Sequence, residues 1–204
     1  MSQTFYMVPN YYPAGVDTTQ RTVVIEGQLL PYDSSNAILA ITQASLTSNV
    51  VTFSAANSLT TTGSQAIFVA GFEGSLAYLN GGYTTTSATS STIVAPLTHA
   101  NLAATSAQAV ATVAPVYATG GLALGKAISK QGTVTPLPQV GPLEQPKSLK
   151  VYSQAGGIRT YPVNSNTGSA PLILDYSGVT EATNAAAVPA DSIGFRAEYV
   201  KDGF

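Results

Sequence analysis

Apolar and small polar residues alternate at period two along much of the chain, the spacing of strands whose two faces meet different surroundings. In residues 49–54 (NVVTFS), Val50, Thr52 and Ser54 fall on one face and Val51 and Phe53 on the other. Residues 192–200 (SIGFRAEYV) set Ile193, Phe195, Ala197 and Tyr199 against Gly194, Arg196 and Glu198, which predicts a half-buried strand with Arg and Glu on its wet face. Residues 64–71 (SQAIFVAG) have an unbroken apolar centre and predict a strand buried on both faces. Residues 21–30 (RTVVIEGQLL) predict a strand that stops at Pro31, before the turn-forming YDSSN. Strands are also expected at 107–113, 148–153, 158–163 and 171–176, and Asn80-Gly81-Gly82 predicts a turn.

Residues 132–148 (GTVTPLPQVGPLEQPKS) hold four prolines and predict an extended loop rather than a helix or central strand. The alanine-rich runs AQAVATV and TEATNAAAV support at best one or two helical turns. No heptads appear. One short strand about every ten residues, with turn signals between, is the pattern of an all-β protein built as a β-sandwich.

Charge changes the picture. Charged residues make up 9% of the chain, against roughly 25% in average usage. Between Ser34 and Gly125 the sole formally charged side chain is Glu73. A net charge of −2 offers no clustered basic face for nucleic acid. The chain has no cysteine, which excludes disulfides, thiolate metal sites and thiol catalysis. Its N-terminus lacks the basic and apolar regions of a secretory signal, and no apolar run approaches the roughly 20 residues that span a bilayer. The expectation is a soluble protein made in the cytoplasm.

Candidate chemistry is sparse. The lone histidine, His99 in PLTHAN, sits at an expected strand end with no partner nucleophile or carboxylate near it in sequence, and it predicts a structural or exposed role. GGLALGKA (residues 120–127) nearly matches a phosphate-binding loop, but Ala127 lacks the hydroxyl that holds magnesium and no βαβ pattern surrounds it. It is expected to be a Gly-rich turn between strands. Asp17, Asp33, Asp175, Asp191 and Asp202 form no calcium loop, and there is no nucleophile elbow. The expectation is a protein without catalytic residues, cofactor or metal.

One cluster points to contacts. FYMVPNYYP (residues 5–13) packs four aromatics, a methionine and two prolines into nine residues. Either its rings cap the end of the sandwich core, or Phe5, Tyr6, Tyr11 and Tyr12 sit on an extended arm that docks on a neighbouring subunit, since Tyr, Phe and Met are enriched at interface cores.

Residues 38–113, including NVVTFSAANSL, the apolar VAGF, LNGGY, the Thr/Ser-rich TSATSSTIV and the terminal THAN, resemble an immunoglobulin-like module of tailed-bacteriophage structural proteins. A departure is TTTGSQAIF, where the family has a tighter VGQTV-like turn. VYATGGLALG (residues 116–125) resembles the Y-TGG-AL segment of small virion β-sandwich proteins, in which strands like SLKVYS and SIGFRAEYV follow. The resemblance implies an N-terminal arm (1–20), a β-sandwich virion domain (21–37 and 114–204) and an inserted immunoglobulin-like β-sandwich (38–113). It further implies a capsid decoration, or cement, protein that contacts the major capsid protein or neighbouring virion subunits in many copies. It implies no catalytic residues. A tail-associated subunit (tube, baseplate or fibre) is the alternative within the same class. The alternative from another class is a carbohydrate-binding module using Tyr78 or Tyr83 on host glycans.

Overall fold

The computed structural model describes residues 4–10, 22–32, 37–59, 64–114, 122–136, 148–153, 157–161 and 193–200. The fold is all-β, as the period-two pattern demands. Among the described residues, two seven-stranded sheets divide it. Sheet I contains β1 (Thr4–Pro9), β2 (Thr22–Tyr32), β10 (Leu122–Ile128), β11 (Val134–Pro136), β12 (Ser148–Ser153), β13 (Gly157–Tyr161) and β14 (Ile193–Val200). Its order is β11-β10-β1-β2-β14-β12-β13. Sheet II contains β3 (Leu39–Thr47), β4 (Val50–Ala55), β5 (Ala66–Ala70), β6 (Gly81–Thr84), β7 (Ser87–Ala88), β8 (Thr92–Pro96) and β9 (Leu102–Val113), ordered β6-β5-β9-β3-β4-β8-β7. Every strand of sheet II thus comes from residues 39–113, and the strands of sheet I come from either side of that stretch.

Sheet II curls into a half-barrel. The β3 register shifts between Ile41 and Gln43 against both neighbours, and such bulges sharpen local twist. The chain from Gly81 to Ala88 runs from one end of the ladder to the other: β6 pairs with β5, then Thr85 donates to the Gln65 carbonyl (2.9 Å), Thr86 to the Val94 carbonyl (2.8 Å), and β7 pairs with β8. Inside lie Ile41, Leu46, Val51, Phe53, Ile67, Phe72, Leu79 and Ile93, none more than 1% exposed. Phe53 stacks on Phe72 and meets the Tyr83 ring edge-on, centroids 6.0 and 5.5 Å away. Val51 and Phe53 point inward and Val50, Thr52 and Ser54 outward, as their alternation requires.

The two sheets meet where β2 lies against β5 and β9. Phe68, Ala70, Val110 and Thr112 alternate with the half-barrel's core residues, face away from that core and are nonetheless buried. Gly71 (φ 106°) lets the backbone come close here, since a Cβ would lie 3.2 Å from Val8 Cγ1. At the rim, Lys130 pairs with Glu73, and Gln131 Nε2 donates to Gln108 Oε1 at 3.0 Å. The single charge of the half-barrel is therefore used internally, against sheet I.

Four expectations change. Residues 4–9 form an inner strand between β2 and β10, not a detached arm. Met7, Val8 and Pro9 are buried there, and apolar side chains with backbone groups paired on a neighbouring ladder have no reason to leave. The strand at 21–30 runs on through Pro31 to Tyr32. Within β2, Pro31 pairs with Phe5 of β1, and the described pairing with β14 covers Thr22 to Gln28. GGLALGKA is not a turn in its described part, since residues 122–127 belong to β10, which runs parallel to β1. Part of the proline-rich stretch, Val134–Pro136, is the edge strand β11, where proline is tolerated. The strand expected at 171–176 lies outside the described residues.

Candidate interaction surface

Of the four aromatic residues singled out for contacts, Phe5 and Tyr6 lie in β1, and Tyr11 and Tyr12 lie outside the described residues. Tyr6 packs edge-to-face on Tyr32, ring centroids 5.5 Å apart. Burial, and secondly the neighbouring Tyr32, push the Tyr6 phenol above its ordinary range. Thus Tyr6 is held by its own sheet.

The outward face of sheet II is built by strict alternation. Cross-strand pairing aligns Gln43 with Ser54 and Thr92, Ser45 with Thr52 and Val94, and Thr47 with Val50 and Pro96. The residues between them point into the core. These nine positions are all half-buried or exposed, Val50 reaching 41%, and none carries a charge. One rim of the face is tied by Asn57, whose side-chain amide donates to the carbonyls of Ala55 (2.8 Å) and Thr89 (2.9 Å). Thr89 and Thr92 share a hydroxyl hydrogen bond of 2.7 Å. The result is a pinned surface of small side chains with little rotamer entropy to lose on contact.

Sheet I presents a different surface. Pairing places Lys150, Arg196 and Glu26 in one row across β12, β14 and β2. Arg196 Nε lies 2.8 Å from a Glu26 carboxylate oxygen, and Arg196 also approaches Glu198 at 3.8 Å. Val24, next to this row, is 44% exposed. Ile193, Phe195 and Ala197 are buried and Arg196 and Glu198 half-buried, as their alternation requires; Gly194, expected on the wet side, is buried too.

The aromatic positions weighed for glycan binding are partly occupied. Tyr83 is half-buried, with its hydroxyl donated to the Leu79 carbonyl at 2.8 Å, and burial, then Tyr78, drive its phenol well above the ordinary range. Tyr78 stacks face-to-face with His99, centroids 3.7 Å apart and planes 11° apart. His99 is exposed in the loop after β8. A cleft of about 360 Å³ opens at the junction of the sheets, lined by Pro9, Asn10, Gln108, Ser129, Lys130, Gln131 and Thr135. It offers amides and hydroxyls for hydrogen bonding, while its one cation is engaged by Glu73.

Sequence reasoning missed the 3-10 helix Gly74–Leu79 and the buried asparagine that ends it. Asn80 Oδ1 accepts from the Phe72 N–H (2.9 Å), and its Nδ2 donates to the carbonyls of Phe72 (2.8 Å) and Ala77 (3.0 Å). The Asn-Gly-Gly signal marked the place, since Gly81 takes φ 131°, but the chain continues from there as strand β6 rather than closing a hairpin turn.

No family model, curated protein or solved structure matches this chain.

Proposed function

We propose that this chain is a structural subunit of a tailed-bacteriophage virion, a decoration protein that binds the capsid exterior and staples neighbouring capsomers. The observation that carries the reading is the segregation of charge. Of the 18 charged residues (8 basic plus 10 acidic), 17 lie outside residues 34–125. The remaining one, Glu73, is paired with Lys130. The half-barrel therefore has an outward sheet face of Ser, Thr, Gln, Val and Pro whose burial against another protein desolvates no ion. Sheet I, with its ionic row and exposed Val24, is the surface suited to a specific, oriented seat on the shell. The resemblance of residues 38–113 and 116–125 to phage virion modules agrees with this division.

In this reading the role is mechanical. Sheet I holds the major capsid protein, and the half-barrel projects and bridges. Many weak contacts repeated over a shell add up by multivalency without any one of them being strong. Adding the purified chain to heads that lack it should give saturable binding and greater resistance to heat and low salt. Absence of binding, with the chain polymerising into tubes or co-purifying with tails, would move it to the tail.

A further inference from the structure

We propose that the β10–β11 hairpin is a salt-sensitive latch between the two sheets, closing the half-barrel onto sheet I through Lys130 and Gln131. The latch is independent of what the chain binds.

The chain crosses between the sheets twice, from β2 to β3 and from β9 to β10. Leu39, where β3 begins, pairs with Ala111 near the end of β9, so both crossings tether the same end of the half-barrel. From that end an apolar seam follows β5 and β9, with Phe68, Ala70 and Val110 buried and Gly71 close to Val8 of sheet I. Beside the seam the sheets leave the cleft of about 360 Å³, lined by Gln108 of the half-barrel and by Pro9, Asn10 and Ser129 of the other side. The hairpin spans this opening. Its turn is fixed by bonds from the Ser129 N–H to the Thr133 carbonyl (2.9 Å) and from the Gly132 N–H to the Ser129 carbonyl (2.8 Å). From its tip, Lys130 and Gln131 reach Glu73 and Gln108 on the half-barrel. Glu73 precedes the 3-10 helix, yet its side chain makes no capping bond there and is engaged by Lys130 instead. Among the described residues this is the sole ion pair between the sheets.

Two features make the closure reversible. The Glu73 side chain is 43% exposed and that of Lys130 20%, so salt reaches the pair. Thr112 Oγ1 is buried in the seam with no hydrogen-bond partner among the described residues, a penalty that opening relieves by admitting water. Ionic strength therefore sets how often the seam and the cleft are exposed.

The chain has no cysteine, so a single introduced thiol reports the opening. Thr112→Cys places that thiol in the seam, and Val51→Cys, in the half-barrel core, is the control for unfolding. Both are made in the full chain and labelled with a disulfide reagent. When closing outruns labelling, the rate follows the open population. Glu73→Gln should speed labelling of Thr112→Cys roughly two- to fivefold, the range expected for a partly exposed ion pair, and leave Val51→Cys unchanged. Exchanging the charges, with Glu73→Lys and Lys130→Glu together, should restore the slower rate. Sodium chloride at about 1 M should speed labelling when the native pair is present and have no effect in Glu73→Gln. Should Thr112→Cys fail to fold, Ala70→Cys, in the same seam, replaces it. Equal labelling with and without Glu73→Gln overturns the latch, as does a charge-exchanged variant that labels like Glu73→Gln. A parallel rise at Val51→Cys also overturns it, because the half-barrel itself would then be loosening.

Discussion

Asn80 is a buried polar side chain that holds a corner of the half-barrel together. It is 7% exposed and brackets the strand-to-helix corner by bonding both backbone groups of Phe72, itself 1% exposed, and the Ala77 carbonyl. Asn80→Ala leaves the Phe72 N–H and C=O buried without partners, at about 1–3 kcal/mol each. The Ala77 carbonyl still accepts from the Asn80 backbone N–H (3.1 Å) and adds little. The expected loss is about 4 kcal/mol, a large part of the 5–15 kcal/mol typical of a folded domain. Asn80→Asp separates hydrogen bonding from shape. An aspartate keeps the acceptor for Phe72 N–H but aims an oxygen at the two carbonyls that the amide served. The carboxyl must hold a proton to fit, so its folded pKa rises above the unfolded value of about 4. A group with a raised folded pKa stabilises below the unfolded pKa and loses that contribution as pH rises. The deficit of Asn80→Asp relative to wild type should therefore grow from pH 4 to pH 7. Urea unfolding followed by tyrosine fluorescence measures this, since the chain has 11 tyrosines and no tryptophan. A cost under about 1 kcal/mol for Asn80→Ala, or a deficit for Asn80→Asp that shrinks with rising pH, would refute the bracket.

Three further outcomes rest on particular atoms. A Cβ on Gly27 would lie 2.1 Å from the Val8 carbonyl oxygen, so Gly27→Ala should force β1 from β2 and cost more than about 3 kcal/mol in thermal or urea unfolding. Thr112 Oγ1 is buried with no hydrogen-bond partner among the described residues, so Thr112→Val, nearly the same shape, should raise stability by about 1 kcal/mol; a loss of stability would mean that the hydroxyl has a partner. Burial holds the Tyr83 phenol above its ordinary range, so the folded state resists its ionisation, and the stability present below about pH 10 is lost as pH rises beyond it. Tyr83→Phe should flatten that alkaline loss and remove a late-titrating phenol from a 295 nm absorbance titration.

Much of the fold was legible because strands declare themselves by parity. Val51 and Phe53 alternate with Val50 and Thr52, and Ile67–Ala70 form a run buried throughout. What escaped was whatever depends on a neighbouring strand. Pro31 reads as a stop, yet the strand runs through it to Tyr32 alongside β1, a pairing that the residues around Pro31 do not reveal. The Gly-rich run ending in Lys126 reads as a turn until β1 and β11 are seen flanking it. FYMVP offers the same composition to an interface or a core, and Met7 and Val8 lie in the core. The candidate surface was legible as a charge deficit but not as a face. That required the register joining Ser45, Thr52 and Val94, which no local pattern contains.

The proposed seating of sheet I on a capsid is tested by a binding isotherm on heads lacking the protein. It is measured for the wild type and for Arg196→Glu, which breaks the ionic row of Lys150, Arg196 and Glu26. Saturable binding by the wild type, weakened in the variant, is expected; identical curves, or no binding by the wild type, would contradict the proposal.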